Sequence, residues 1–237
     1  MRVLLVTYYF PPAGGGGVQR VLGWCRHLPE HGIQLTVLAP EEPHWVDQDT
    51  TLVVPGSVRV VRTLDPSPPA VIPRDAIAQS SGVKKLARRV ALQPRRLQVP
   101  DIHRGWRRPA VREALAEAAR RAAAGESGWD VVVSTSPPET THVIAAQIAE
   151  QLDIPWVPDF RDSWLDLPHL RMSSTAVRVK HAANRRLATR LLRRAQLATT
   201  VSEPLAEDLR HRHPHLDVRV IENGIDGDAV HLSLIHI

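Results

Sequence analysis

Four consecutive glycines, Gly14–Gly17, separate a run of apolar, strand-forming residues from a segment with helical periodicity. Glycine lets the backbone approach a ligand closely, and the N–H groups at the start of the following helix carry the positive end of its dipole. Such a loop can hold a diphosphate without any side chain. A flexible turn is the alternative, because the third glycine of the dinucleotide-binding pattern is missing: Gln19 or Arg20 stands there, depending on which glycine is counted first.

Three charged side chains, Asp159, Arg161 and Asp162, follow another strand-like run. In open parallel sheets, ligands bind beyond the carboxyl ends of the strands. Arg161 can bind a phosphate or an acidic sugar, while an aspartate can accept a proton from a hydroxyl group. A purely structural ion pair is the alternative. We therefore treat these three residues as candidate catalytic residues.

Polar residues also end two further strand-like runs. Ser134 and Ser136 close one of them, with His142 shortly afterwards, and Asn223 follows the last run. If these runs are parallel strands, their ends share one edge of the sheet with the glycine loop. We expect these four residues to contribute to ligand binding, although His142 lies in a predicted helix, where packing or capping is the alternative.

The predicted elements alternate between strands and helices. Strands are predicted at 2–10, 33–39, 58–63, 130–134, 155–159, 197–202 and 218–221. Helices are predicted at 18–31, 83–92, 111–124, 140–152, 176–195 and 204–212. The buried stripe of the helix at 176–195 is predicted to consist of Val179, Ala183, Leu187 and Leu191. This alternation predicts an α/β fold with a Rossmann-like, doubly wound parallel sheet in one domain.

The composition limits the classes of protein to consider. A chain of 237 residues that is 43% hydrophobic can bury a substantial core. The single cysteine, Cys25, excludes an internal disulfide and a cysteine-based zinc cluster. No apolar run approaches the roughly 20 residues that a membrane-spanning helix needs. We expect a cytoplasmic protein, and we predict no metal site because no carboxylate pair has a metal-binding arrangement.

The positive charge is concentrated in two segments. The chain has a net charge of +5; Asp101 is the single acid within 84–108, and the basic segment 171–194 contains no acid. A solvated basic face is one interpretation, and attraction to anionic lipid or to a lipid-linked substrate is another. We predict no nucleic-acid partner, because no zinc finger, helix-turn-helix or aromatic-rich sheet motif accompanies the charge.

Five segments in order carry a resemblance to a known family: VTYYFPPAGGGGVQR at 6–20, DVVVSTSPPETTH at 130–142, IPWVPDFRDSW at 154–164, ATTVSEPLAEDL at 198–209 and VIENGID at 220–226. Together they resemble the N-terminal domain of GT-B-fold glycosyltransferases of the large glycogen-synthase-like family (family 4 type). Within that family they are most similar to the bacterial capsule and O-antigen branch.

The resemblance implies a retaining transfer of a hexose-type sugar from a nucleotide sugar to a surface glycan or a lipid-linked acceptor. The nucleotide sugar is then a substrate, and no cofactor is implied. Gly14, Gly15, Gly16 and Gly17 would reach the donor diphosphate and sugar, and Ser134, Ser136, His142 and Asn223 would be acceptor-side candidates. We expect such an enzyme to be cytoplasmic, with peripheral contact to the inner membrane.

The sequence departs from the family in two ways. Many members carry a histidine at the position of Arg161, so the histidine's role cannot be transferred, and Asp159, Arg161 and Asp162 are the local substitutes. The family's donor-binding half, which supplies positive charge for the departing diphosphate, does not follow, so the chain is expected to be inactive alone.

The expected organisation is a glycosyltransferase N-terminal domain at 1–226 and the start of an interdomain linker at 227–231. Residues 232–237, LSLIHI, match a translated sequencing adapter and are interpreted as an artefact that truncates the gene. Two other functions stay open at this point: an NAD(P)-type oxidoreductase domain and a non-catalytic ligand-binding domain.

Overall fold

A computed structural model describes residues 1–41, 48–67, 97–165 and 175–224. In these ranges the strands are β1 (Arg2–Val6), β2 (Gln34–Pro40), β3 (Arg59–Thr63), β4 (Val131–Ser136), β5 (Trp156–Phe160), β6 (Leu197–Thr200) and β7 (Asp217–Val220). The α-helices are α1 (Gly16–His27), α2 (Arg107–Ala123), α3 (Thr140–Leu152), α4 (Thr175–Leu192) and α5 (Glu203–Arg212). The predicted helix at 83–92 and the predicted linker and tail at 227–237 lie outside the described residues.

The seven strands form one parallel sheet in the order β3-β2-β1-β4-β5-β6-β7. The strand order changes direction between β1 and β4, where Val6, the last residue of β1, pairs with Ser134 of β4. A crevice opens at such a switch point in doubly wound sheets, because the connections leave it on opposite faces. The predicted α/β class with a Rossmann-like parallel sheet is confirmed.

β1 is buried on both faces, which explains its unbroken apolar sequence. Leu4 and Val6 pack in the core on one face of the sheet, and Val3 and Leu5 pack in the core on the other. Side chains alternate between faces along a strand, so a strand covered on both sides carries no polar alternation. The prediction extended this strand to residue 10, but it ends at Val6. The residues beyond it are largely buried as well, so the apolar pattern outlasts the strand.

The prediction for the buried side of α4 is confirmed only for the second half of the helix. Val179 is 63% exposed, and the fully buried residues of this helix are Ala188 and Leu192. Leu187 and Leu191 are only partly buried against the core. The helix therefore contacts the domain mainly through its last turns, which the apolar spacing alone could not show. Among the described residues, no helix combines the length and the apolar character that crossing a bilayer requires.

Candidate functional site

A cleft of about 620 Å³ lies at the carboxyl edge of the sheet, beside the switch point. It is bordered by the loops that follow β1, β4 and β5 and by the chain that leaves β7. Its lining consists of Tyr9, Gly14, Gly15, Gly16, Gly17, Gln19, Arg20, Pro137, Arg161, Asp162, Asn223 and Gly224. The glycine loop, the charged cluster after β5 and the asparagine after β7 therefore meet, as their shared sheet edge predicts.

The glycine loop is open to this cleft rather than covered by its own chain. Gly15 and Gly16 are exposed, and Gly15 has a φ of 87°, a backbone conformation that favours glycine. α1 begins at Gly16 with no side-chain cap and no acidic residue in its first turn. Its first N–H groups and the positive end of its dipole are thus available to an anion in the cleft.

Gly17 lies where the glycine loop approaches Tyr9 and Arg161. A Cβ atom at this position would stand 3.5 Å from the ring of Tyr9 and 3.6 Å from the guanidinium of Arg161. These are ordinary contact distances, so glycine leaves just enough room here, and a longer side chain would have to enter the cleft or displace a neighbour. Burial raises the pKa of Tyr9 far above its usual value, and Arg161 opposes that shift. Tyr9 therefore remains a neutral phenol.

Arg161 ties three loops together at the back of the cleft. Its guanidinium donates to the backbone carbonyl oxygens of Gly17 at 2.5 Å, Ser136 at 2.9 Å and Pro137 at 3.1 Å. Burial lowers the pKa of Arg161, and the nearby Asp159 and Asp162 counteract this effect. The side chain lines the cleft and keeps a positive charge next to the start of α1.

Asp159 lies below the cleft, and its carboxylate is fully occupied. It accepts hydrogen bonds from the hydroxyl groups of Thr135 at 2.8 Å and Thr199 at 2.7 Å. It also accepts two from Arg20, at 2.8 and 3.1 Å, and it is 0% exposed. This geometry favours an anchoring role. A direct catalytic role for Asp159 stays a prediction, because Asp159 is not among the described residues that line the cleft.

Arg20 is the residue of this site that sequence reasoning missed. Besides holding Asp159, its guanidinium donates to the carbonyl oxygen of Glu222 and to Oδ1 of Asn223, both at 3.2 Å. It also lies over the ring of Trp24, 4.9 Å from the centroid. The available signal was its spacing: Arg20 follows Gly16 by four residues and therefore lies one helical turn beyond it, on the same face.

Ser134, Ser136 and His142 do not reach the cleft. All three are at most 1% exposed. The Ser134 hydroxyl lies 2.8 Å from Nδ1 of His142 and also accepts from Nε1 of Trp156 at 2.8 Å. Burial lowers the pKa of His142 to about 3, with a smaller contribution from Arg161. His142 therefore packs in the core. The prediction that these three side chains contact the acceptor has no support from the residues that line the cleft.

Two acids near the start of α3, Asp162 and Glu139, interact electrostatically, and of the two Asp162 lines the cleft. Asp162 is exposed in the cleft, and Glu139 is a half-buried residue just before α3. Burial, followed by the charge of Asp101, raises the pKa of Glu139 to about 7. Glu139 can therefore gain or lose a proton near neutral pH, a property that its sequence position did not indicate. Within the described ranges, no three His, Cys, Asp or Glu side chains are grouped to hold a metal ion.

A family model described as Glycosyltransferase Family 4 matches residues 14–229, from the glycine loop to beyond β7. The chain belongs to glycosyltransferase family 4. The matched residues include the glycine loop and the ends of the later strands. These features are therefore assigned to a glycosyltransferase and not to an oxidoreductase. No curated protein matches the family 4 chain in sequence.

Solved structures with the same fold are glycosyltransferases of the GT-B type. Sucrose-phosphate synthase from Thermosynechococcus elongatus is 13% identical with a TM-score of 0.58, and the match covers 100% of this chain and 52% of that one. Anabaena HepE, solved with UDP-glucose, is 15% identical with a TM-score of 0.53, covering 95% of this chain and 44% of that one. The family 4 chain thus spans about half the length of these structures.

Proposed function

We propose that this family 4 chain is the acceptor-side half of a retaining glycosyltransferase that uses a nucleotide-sugar donor. The observation that carries the proposal is the convergence of two positive groups on one cleft. The uncapped start of α1 and the guanidinium of Arg161 both border it, beside the switch point of the sheet. A nucleoside diphosphate is the anion that such a site suits.

In sugar transfer, the N–H groups at the start of α1 and the guanidinium of Arg161 would stabilise the leaving group. When the bond between the sugar and the diphosphate breaks, negative charge accumulates on the leaving diphosphate. Fixed N–H groups and a fixed guanidinium stabilise that charge because they are already oriented before the reaction. Arg161 is held by three carbonyl oxygens, so its position does not depend on the ligand.

UDP-glucose is a reasonable first donor to test. HepE, which shares the fold, was solved with UDP, with UDP and glucose, and with UDP-glucose. A hexose-type sugar is accordingly the proposed group transferred. Asp162 is the acid placed to accept a proton or a hydroxyl hydrogen bond from the acceptor, because it is exposed in the cleft.

The proposed acceptor is a surface glycan or a lipid-linked glycan, as in the capsule and O-antigen branch. The described parts of the basic segments 84–108 and 171–194 support an anionic or membrane-bound acceptor, since positive surfaces concentrate anionic partners. The proposed location is the cytoplasm, with peripheral contact to the inner membrane.

The genomic locus provides the first test. Reading the gene past the codon for residue 231 should reveal a continuing frame with a second α/β pattern. A stop codon at that point would instead favour a non-catalytic ligand-binding domain. The full product should then transfer labelled sugar from a panel of nucleotide sugars, and NMR of the product should show that the anomeric configuration is retained.

A matched pair of variants connects the activity to the cleft. Arg161→Gln in the full product should lower kcat by at least about tenfold, because it removes the fixed positive charge. Arg219→Gln, an exposed arginine on β7 that does not line the cleft, should leave kcat unchanged. Full activity of the Arg161→Gln variant would contradict the proposal.

A further inference from the structure

A long groove runs along the face of the domain that α2, α3 and α4 form. It consists of two cavities of about 1100 and 510 Å³ that share Arg107, Val143, Gln147 and Leu187 in their walls. None of its lining residues lines the cleft at the sheet edge. Pockets for small ligands measure about 300–1000 Å³, so this groove offers room for a larger partner.

Arginines from two distant parts of the chain surround the groove. Four lie at or near the start of α2 and two lie at the end of α4, and all six are exposed: Arg104, Arg107, Arg108, Arg112, Arg190 and Arg194. The one acid among the described residues of the lining, Glu150, is ion-paired with Arg194. The fold thus brings arginines from both basic segments, together with Arg112, to one surface, whose net charge is strongly positive.

The floor of the groove is aliphatic. Val111 and Val143 are buried beneath it, and Leu115, Leu187 and Leu191 are partly exposed along it. Among the described residues, the lining contains no aromatic side chain. An arginine rim above an aliphatic floor suits an amphiphile, because guanidinium groups bind phosphate oxygens and the floor can accept a hydrocarbon chain.

We propose that this groove docks the chain onto an anionic bilayer, with lipid phosphates on the arginines and the first carbons of an acyl chain on the floor. The inference rests on the proposed membrane contact of the enzyme and assigns that contact to defined residues. Each cation close to an anionic surface strengthens binding by about fivefold, so several arginines together give reversible attachment.

A nucleic acid fits this groove less well. Proteins that bind single strands combine positive charge with aromatic side chains on which the bases stack. The groove supplies the charge without the aromatic residues, and its aliphatic floor has no counterpart on a sugar-phosphate backbone. Charge and floor together therefore favour the bilayer.

Vesicle co-sedimentation tests the proposal on the 237-residue chain. One set of vesicles is made of phosphatidylcholine alone, and the other contains about one third phosphatidylglycerol. The groove variant combines R107Q, R108Q and R112Q. The matched control combines R210Q, R212Q and R219Q, which remove the same charge from exposed positions of α5 and β7, outside both basic segments and outside the groove lining.

The wild type and the control should bind the anionic vesicles and leave the neutral ones, whereas the groove variant should bind at least about tenfold more weakly. A second groove variant, R190Q with R194Q, should also lose binding, which guards against misfolding of the first. Circular dichroism verifies that all variants are folded.

Equal losses in the groove variant and the control would overturn the proposal, because diffuse charge would then suffice. Equal binding to neutral vesicles, or tighter binding to an oligonucleotide than to vesicles, would also overturn it. No donor sugar is present in this experiment. A failure here therefore leaves the sugar-transfer proposal intact, and an inactive enzyme that still binds anionic vesicles leaves this inference intact.

Discussion

Arg20 on α1 and Asp159 on β5 form a buried ion pair directly beneath the cleft. Two nitrogen atoms of the guanidinium contact the two carboxylate oxygens at 2.8 and 3.1 Å, and the side chains are 5% and 0% exposed. The same guanidinium holds Asn223, where the chain leaves β7. The Arg20 side chain therefore fixes α1, the helix that follows the glycine loop, relative to β5 and to the segment after β7.

The stability of the domain should depend strongly on this pair. Asp159→Asn leaves Arg20 buried without a counter-charge, and such a loss costs about 3–5 kcal/mol of unfolding free energy. Urea unfolding followed by circular dichroism measures it. The exposed pair on β7 provides the control: Asp217→Asn should change stability by less than about 1 kcal/mol. Similar effects of the two substitutions would show that the buried pair is not an anchor.

Two glycine-to-alanine substitutions near each other should have opposite effects. Gly15 has a positive φ, so Gly15→Ala should cost about 1–2 kcal/mol of stability. Gly23 lies inside α1, and apart from its chain neighbours and the backbone of its own helix, no atom of the described residues lies within 4 Å of the position that a Cβ atom would take there. Gly23→Ala should therefore stabilise the domain by about 0.5–1 kcal/mol. Thermal melts of both variants test the prediction, and two shifts in the same direction would argue against the loop conformation described.

The buried imidazole of His142 should make the domain sensitive to acid. Its pKa is lowered to about 3 in the folded chain, whereas the unfolded chain takes up this proton below the ordinary value of 6.5. The unfolded state therefore binds more protons as the pH falls from 6.5 towards 3, and stability declines by up to about 1.4 kcal/mol per pH unit.

The His142→Gln variant isolates this effect. Urea unfolding at about pH 7.5 and about pH 5 should show a loss for the wild type that is about 2 kcal/mol larger than the loss for the variant. His211→Gln replaces an exposed histidine of α5 and should behave like the wild type. An identical pH dependence in all three proteins would mean that His142 is not held neutral by burial.

The parallel sheet was predictable because its evidence is local. Apolar strand-forming runs such as Val131–Ser136 alternate with helical stretches such as Thr140–Leu152, and that alternation admits few topologies. The meeting of Gly15, Arg161 and Asn223 followed from one rule, since parallel strands end at the same edge.

The division of roles within the site was not predictable, because it depends on which side chains are buried. Asp159 and Asp162 look equivalent in the sequence, yet the first is enclosed by Arg20 and two threonines while the second is exposed. His142 is packed against the ring of Phe160, 4.6 Å between centroids, in the core. Burial of this kind is a property of the assembled fold and leaves little trace in residue spacing.

Binding of a diphosphate by the glycine loop and Arg161 can be measured by NMR of the ¹⁵N-labelled chain. UDP, GDP and inorganic diphosphate are titrated to about millimolar concentration, with uridine as the control that lacks phosphate. The amide signals of Gly15, Gly16 and Gly17 should shift saturably with every diphosphate and should not shift with uridine. Unchanged glycine signals, or shifts that uridine reproduces, would contradict diphosphate binding by this loop.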